Sequence, residues 1–158
     1  MNRREFIVSS AAAGGGIAIG LPLTAASQGK DVGAQVNIWV VVKPDDTCVI
    51  RIARSEMGQG TRTGLAQLVA EELECDWKKV TTESITAGQN LASKRAWGEM
   101  GTGGSRGIRI SQDYVRKGGA AARLMLLQAA ANRWNVPVSE LAVADGVITH
   151  APSKRRTT

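Results

Sequence analysis

The sequence predicts an α+β fold, a mixed sheet with two helices packed on it, and three observations carry that prediction. Two short β-branched runs, 37–42 and 48–53, flank a Lys-Pro-Asp-Asp-Thr turn. Two longer stretches, 61–73 and 108–134, carry apolar residues at helical spacing. An alternating run, 80–86, separates those helices, and an Asp-Gly hairpin follows the second. The order is β-β-α-β-α-β, a layer of helices against a sheet. The 158 residues amount to about one domain and suffice to bury a core.

The chain opens with Asn2-Arg3-Arg4-Glu5-Phe6, a weakly apolar stretch to Leu23, and the small residues Thr24-Ala25-Ala26. That ordering is an export signal over residues 1–26, and the paired arginines make it the twin-arginine type. It is too short and too glycine-rich for a comfortable membrane span, although an uncut signal would leave the protein attached to a membrane. Residues 27–35 read as a polar linker, and 36–158 as the globular part.

Asn37 to Val42 and Cys48 to Ala53 form the first hairpin. Thr61 to Leu73 places Leu65, Leu68, Val69 and Leu73 on one face, with Glu71, Glu72 and Glu74 as a solvated opposite side. Residues 87–107 read as a long loop rich in Gly and Ser, and a loop of that length in a small domain is often functional. It runs into a helix from Ile108 to Trp134, for which Ser105 is the expected cap. Gly118-Gly119-Ala120-Ala121-Ala122 gives that helix a small-residue face, and Asn135-Val136-Pro137 ends it.

Composition narrows the function classes. The net charge is +6, but aromatic residues make up 4% of the chain, so a base-stacking surface for nucleic acid is not suggested. The basic residues read as a solvated face. Cys48 and Cys75 lack zinc-type spacing and read as small apolar residues, with a disulfide open to them in an oxidising compartment. His150, the one histidine, has a structural or surface role.

Two glycine-rich turns each feed a helix start. The first is Ser55-Glu56-Met57-Gly58-Gln59-Gly60-Thr61-Arg62-Thr63. Helix starts carry unpaired N–H groups and partial positive charge, which suits oxyanions. Gly58 and Gly60 let a ligand approach the backbone, and Gln59 is the side chain presented, able to donate and accept. The second is Gly101-Thr102-Gly103-Gly104-Ser105-Arg106-Gly107. Neither turn matches the nucleotide pattern GxxxxGK[ST] or the dinucleotide pattern GxGxxG, which argues against ATP and NAD. If both turns face one way they bind one ligand with several oxyanions, with Arg54, Arg62 and Arg106 neutralising it. The competing reading is that such turns only redirect the chain.

The segments Glu56-Met57-Gly58-Gln59-Gly60-Thr61, Val69-Ala70-Glu71-Glu72-Leu73, Asp76-Trp77, Thr102-Gly103-Gly104-Ser105, Arg116 to Arg123 and Asp145 to His150 together resemble the large (beta) subunit of isoquinoline 1-oxidoreductase-like enzymes. Those belong to the xanthine dehydrogenase and aldehyde oxidase family. The resemblance spans nearly all of the chain after residue 36. It implies part of a molybdenum-cofactor-binding domain, hydroxylation of an aldehyde or N-heterocycle with water-derived oxygen, and molybdopterin cytosine dinucleotide as cofactor. Gln59 would then hydrogen-bond an oxo ligand of molybdenum, Gly58 and Gly60 would allow close approach, and Thr102, Gly103, Gly104 and Ser105 would lie near the cofactor. No metal ligand from the protein is expected. Implied partners are a small subunit with [2Fe–2S] clusters, which takes the electrons, and the remainder of the large subunit; the implied location is the periplasm. The family's catalytic glutamate belongs to a distant segment that this sequence does not match, so no catalytic residue is expected here. The chain reads as an N-terminal fragment without independent turnover. The alternative is a small exported binding or structural domain without redox activity.

Overall fold

The computed structural model describes residues 33–158; the expected signal over 1–26 and residues 27–32 of the expected linker lie outside the described residues. The centre of the molecule is β3 (Cys48–Ile52), where Cys48, Val49, Ile50 and Ile52 are buried. It pairs antiparallel with β2 (Val40–Val42), which pairs antiparallel with β1 (Ala34–Gln35). On its other side it runs parallel to β4 (Val80–Ser84), in the register Cys48 with Val80 to Ile52 with Ser84. A parallel pair needs a crossover, and α1 (Thr61–Leu73) supplies it, burying Leu65, Ala66, Val69, Ala70 and Leu73. The sheet is therefore mixed and the class α+β, as expected.

Each difference from the expected elements has a local cause. The stretch read as linker ends inside the sheet, because Ala34–Gln35 pairs with Val41 and Val42. The strand expected from Asn37 begins only at Val40. Asn37 Oδ1 accepts from the Trp39 and Val40 N–H groups at 2.8 and 3.0 Å, and its Nδ2 donates to the Gly118 carbonyl at 2.9 Å. Such an Asx turn competes with the ladder. The long loop contains α2 (Ala87–Ala92), started by a capping box in which Thr86 and Gln89 satisfy each other's backbone. The T-x-x-Q spacing is the sequence signal for it.

The helix expected over 108–134 is broken. α3 (Arg106–Arg109) is a single turn and α4 (Gln112–Trp134) follows the interruption at Ile110–Ser111. Ser105 makes no side-chain cap; it sits in left-handed backbone (φ 56°) at the end of a short 3-10 turn, Gly103–Ser105. The side chain used at the real break is Ser111, which accepts from Arg54 Nε and from the Tyr114 hydroxyl.

α4 lies across α1 at close range because of Gly119, and against Trp39 because of Gly118. Its far end is closed by left-handed Asn135, whose N–H bonds the Ala131 and Asn132 carbonyls. Beyond it a second, antiparallel sheet forms from β5 (Leu141–Ala144), β6 (Val147–His150) and β7 (Arg155–Thr157). The expected hairpin thus gains a third strand. Its own small core is Leu127, Ala130 and Ile148. His150 is buried between the Glu140 carboxylate (2.8 Å) and the Ser153 hydroxyl (2.7 Å), the structural role expected of it. Among the described residues no helix is long and apolar enough to cross a membrane.

Candidate cofactor-binding site

The first glycine loop leaves β3 and enters α1, so the parallel pairing of β3 with β4 sets where it stands. The second glycine loop lies beside it. The Ser55 N–H donates to the Met100 carbonyl at 2.8 Å, and the Ser55 hydroxyl does so at 3.2 Å. Gly107 packs so tightly on Thr61 that a Cβ there would stand 2.7 Å from the Thr61 hydroxyl. Thus the fold brings together the loops holding Gly58, Gln59 and Gly60 and Thr102, Gly103, Gly104 and Ser105.

Arg54 ties the two loops from below. It is 5% exposed, donates from Nε to Ser111 Oγ at 2.8 Å and from Nη1 to the Gly101 carbonyl, and lies 3.7 Å from Glu99. The sequence suggests it as a neutraliser of a ligand; burial gives it the role of a clamp instead. Arg62 donates to Ser84 Oγ at 2.7 Å, and Arg106 to the Gly103 carbonyl at 2.9 Å and to Glu99.

The first loop is closed by its own side chains. Glu56 accepts from the N–H groups of Gly58 (2.7 Å), Gly60 (3.1 Å) and Arg62 (2.8 Å). These include helix-start donors expected to face an oxyanion, and a carboxylate of the same loop already takes them. Gln59, though exposed, is folded back onto its own loop as well. Its Nε2 donates to the Ser55 carbonyl and to Thr61 Oγ1, both at 2.9 Å, and its Oε1 accepts from the Met57 N–H at 2.6 Å. Both amide hydrogens are used, and one Oε1 lone pair remains. Sequence reasoning missed Glu56 as the organiser of this loop. The available signal was an acidic side chain just ahead of a helix start, where the dipole favours it.

Those N–H donors, Arg62 first, hold the Glu56 carboxyl below its ordinary value of 4.5. A depressed folded value means the carboxylate's contribution to loop order is complete above the ordinary value. It is lost as pH falls through the lower, folded one. Amide hydrogen exchange at Gly58, Gly60 and Arg62 is therefore expected to accelerate on acidification below about pH 4.5 beyond the intrinsic pH trend. In Glu56→Ala the same amides should exchange fast already at neutral pH, with core amides of β3 unchanged. Equal protection in wild type and variant would remove Glu56 from this role.

The outer surface of both loops stands clear. Gly58 and Gly60 have φ of 93° and 80°, and a Cβ at either would meet nothing within 4 Å; the same open space faces Gly101, Gly103 and Gly104. The backbone here is bare on one side, as close approach by a flat polar ligand requires. Two clefts lie nearby but take no residue from 58–60 or 101–105. One of about 260 Å³ runs beneath the second loop, lined by Asn90, Leu91, Arg95, Glu99 and Met100 among others. The other, about 690 Å³, runs along α1 to the Ala144-Asp145 turn.

Comparison with known proteins assigns the family. The family described as the molybdopterin cofactor-binding domain matches residues 2–158. The chain belongs to that family. Among its relatives is the beta subunit of isoquinoline 1-oxidoreductase from Brevundimonas diminuta, 35% identical over 164 residues, covering 100% of this chain and 21% of that protein. The membrane-bound aldehyde dehydrogenase [pyrroloquinoline-quinone] of Gluconacetobacter polyoxogenes is 30% identical over 156 residues, 94% of this chain and 19% of that one. A subunit of nicotinate dehydrogenase from Pseudomonas putida is 32% identical over 114 residues, 72% and 9% respectively. This molybdopterin cofactor-binding domain chain thus spans about a fifth or less of the length of those relatives. Two of them carry subunit names, so they work with other subunits.

The residues present fit molybdopterin in one respect and qualify it in another. Bare glycine backbone on two adjoining loops suits a flat, polar ring system. The first loop's Gly58, Gly60 and Arg62 amides do not face such a group while Glu56 holds them.

Proposed function

We propose that this chain forms one wall of the cofactor site in the large subunit of a molybdenum hydroxylase. The observation that carries the reading is the adjacency of two glycine loops, each bare on its outer side, in a chain that matches the family over residues 2–158. The second loop, Thr102 to Ser105, lies against the cofactor through its backbone. In the first loop, Gln59 would release the Ser55 carbonyl and Thr61 hydroxyl and offer its carboxamide to the bound cofactor, while Glu56 keeps the turn in shape. Gly58 and Gly60 admit the close approach. The cofactor, as molybdopterin cytosine dinucleotide, would supply two-electron oxidation of a carbon centre with oxygen from water. The substrate class would be an aldehyde or an N-heterocycle, electrons would leave to a partner carrying [2Fe–2S] clusters, and the catalytic base would come from a segment that this sequence does not match. The chain alone does not turn over. Export by the twin-arginine route suits a protein that must fold around a cofactor before it crosses the membrane.

The test uses the full-length product that carries this segment, purified natively from the periplasmic fraction. Metal analysis is expected to find molybdenum with it. Gln59→Ala is expected to lower hydroxylation of an aldehyde or N-heterocycle by roughly 10–100-fold, the scale of losing a group that orients a metal's ligands. Wild-type protein without molybdenum would favour an exported binding or structural domain, to which the self-satisfied first loop would then belong. Unchanged activity and metal content in Gln59→Ala would remove Gln59 from the site.

A further inference from the structure

Nothing in the cofactor reading uses the two cysteines. Cys48 opens β3 and is buried; Cys75 follows the left-handed residue Glu74 that closes α1 and is half-buried. Cys75 packs on the core to which Cys48 belongs. Two contacts hold their segments side by side: Cys48 stands opposite Val80 in the β3–β4 register, and Lys79 reaches Asp46 at 3.6 Å. The short link from Cys75 to Val80 is itself fixed, since Asp76 caps the 3-10 turn Trp77–Lys79. The Cys75 N–H bonds the Ala70 carbonyl, which anchors the other side. Both thiols are free and each is the main influence on the other's proton, while the Cys75 thiol also donates to the Ala70 carbonyl at 3.8 Å.

The pair is unequal. Cys48 donates its proton toward Cys75 and is buried, so its thiol is pushed far up. Cys75 receives that hydrogen bond and is held below the ordinary thiol value, although burial and Asp76 oppose this. Cys75 also lines the cleft of about 690 Å³, together with Trp77 and Asp145, so a reagent reaches it from solvent. An accessible thiol held below its ordinary value, beside a second thiol, is the arrangement for exchange once it loses its proton.

We propose that Cys48 and Cys75 are an oxidation site that closes to an intrachain disulfide by exchange with a small disulfide entering through the Trp77–Asp145 cleft. The Cys75 thiolate attacks one sulfur of the reagent RSSR, forming a Cys75–SR mixed disulfide and expelling RS⁻, which takes up a proton. Cys48 then loses its proton and attacks Cys75 Sγ, expelling the second RS⁻. The balance is two protein thiols and one RSSR giving one protein disulfide and two RSH; the protein is oxidised and the reagent reduced. The closed loop, 48–75, contains the whole first glycine loop and α1. Oxidation thus ties β3 to the end of the helix that the loop starts, whatever ligand the loop serves.

The test takes the full 158-residue chain, purified under reductant and then exposed to oxidised glutathione. The expected product is a monomer lighter by two hydrogens, with the tryptic peptides of Cys48 and Cys75 linked. Its melting temperature should rise by about 5 °C or more, since a cross-link restricts the unfolded chain. Cys48→Ala is expected to stop at a stable glutathione adduct on Cys75, and Cys75→Ala to acquire none on Cys48. A wild-type adduct on Cys75 that never resolves, a disulfide between two chains, or linkage only after unfolding would each overturn the proposal.

Discussion

Gly119→Ala is expected to destabilise the chain by about 2 kcal/mol net, against the direction that helix propensity predicts. Gly119 lies in the middle of α4, where alanine is worth about 1 kcal/mol more than glycine. A Cβ at this position would stand 2.5 Å from the Val69 carbonyl oxygen, 3.1 Å from Glu72 Cβ and 3.2 Å from the Val69 carbonyl carbon. Two of the three atoms are backbone of α1, so no rotamer change relieves the contact. The helices must move apart, and overpacking of this kind costs about 1–3 kcal/mol, occasionally more. The crowding sits at the upper end and outweighs the propensity gain. Gly118→Ala meets Trp39 Cδ1 at 2.5 Å instead, a side chain that can tilt, so its loss should be smaller. Gly88→Ala is the control: it is also helical, in α2, but its Cβ would meet nothing within 4 Å. Urea denaturation of the three variants should rank them Gly119, Gly118, Gly88 in order of loss, with Gly88→Ala neutral or slightly stabilising. A Gly119→Ala midpoint at or above wild type would mean that α1 and α4 do not cross at Val69 and Gly119.

That contrast also says what a sequence can reveal about this fold. The hairpin, α1 and the end of α4 were legible because their signals are local: β-branched runs, a Pro-Asp turn, helical spacing, Asn-Val-Pro. The small-residue face of α4 was legible as a pattern, and its partner was not, since nothing in 118–122 names Val69 or Trp39. The break at Ile110–Ser111 was hidden for the same reason. Ser111 breaks the helix where Arg54 and Tyr114 meet it, and Arg54 lies far away in sequence. The missed α2 is different. Its capping box was visible, but glycine and serine around it suggested loop.

At the site, the glycine loops were found because glycine in a strand-to-helix turn has a physical meaning that needs no partner. Their adjacency could only be posed as a condition, and the Ser55–Met100 and Thr61–Gly107 contacts meet it. Which groups fill the donors was not legible. Glu56 and the folded-back Gln59 compete with a ligand for the same few atoms, and that competition is decided by distances of a few tenths of an ångström. The arginines show the limit most plainly: three were expected at the ligand, and burial takes Arg54 out of reach.

Arg54→Met is expected to cost about 3 kcal/mol and to loosen the two loops from each other. The substitution keeps much of the apolar stem and removes the guanidinium. Two charge-assisted hydrogen bonds go with it, to Ser111 Oγ and to the Gly101 carbonyl. Such bonds contribute about 1.5–3 kcal/mol each, and relief from burying the cation places the sum near the lower end. Ser111 keeps its bond from Tyr114, so the Gly101 carbonyl is the group left without this donor. Glu99 is not the source of the effect. It lies 3.7 Å away with its side chain 65% exposed, so Glu99→Gln should cost under about 1 kcal/mol. Arg54→Lys restores the charge but not the planar fork, and a single ammonium cannot serve both Ser111 and Gly101 with the same geometry. It should recover part of the loss. Urea denaturation gives the magnitude, and hydrogen exchange gives the location. The Ser55 amide, bonded to the Met100 carbonyl across the two loops, should lose protection in Arg54→Met well before the β3 amides do. Full protection at Ser55 in a destabilised Arg54→Met would show that the arginine supports the core alone, and that the glycine loops keep their spacing by other means.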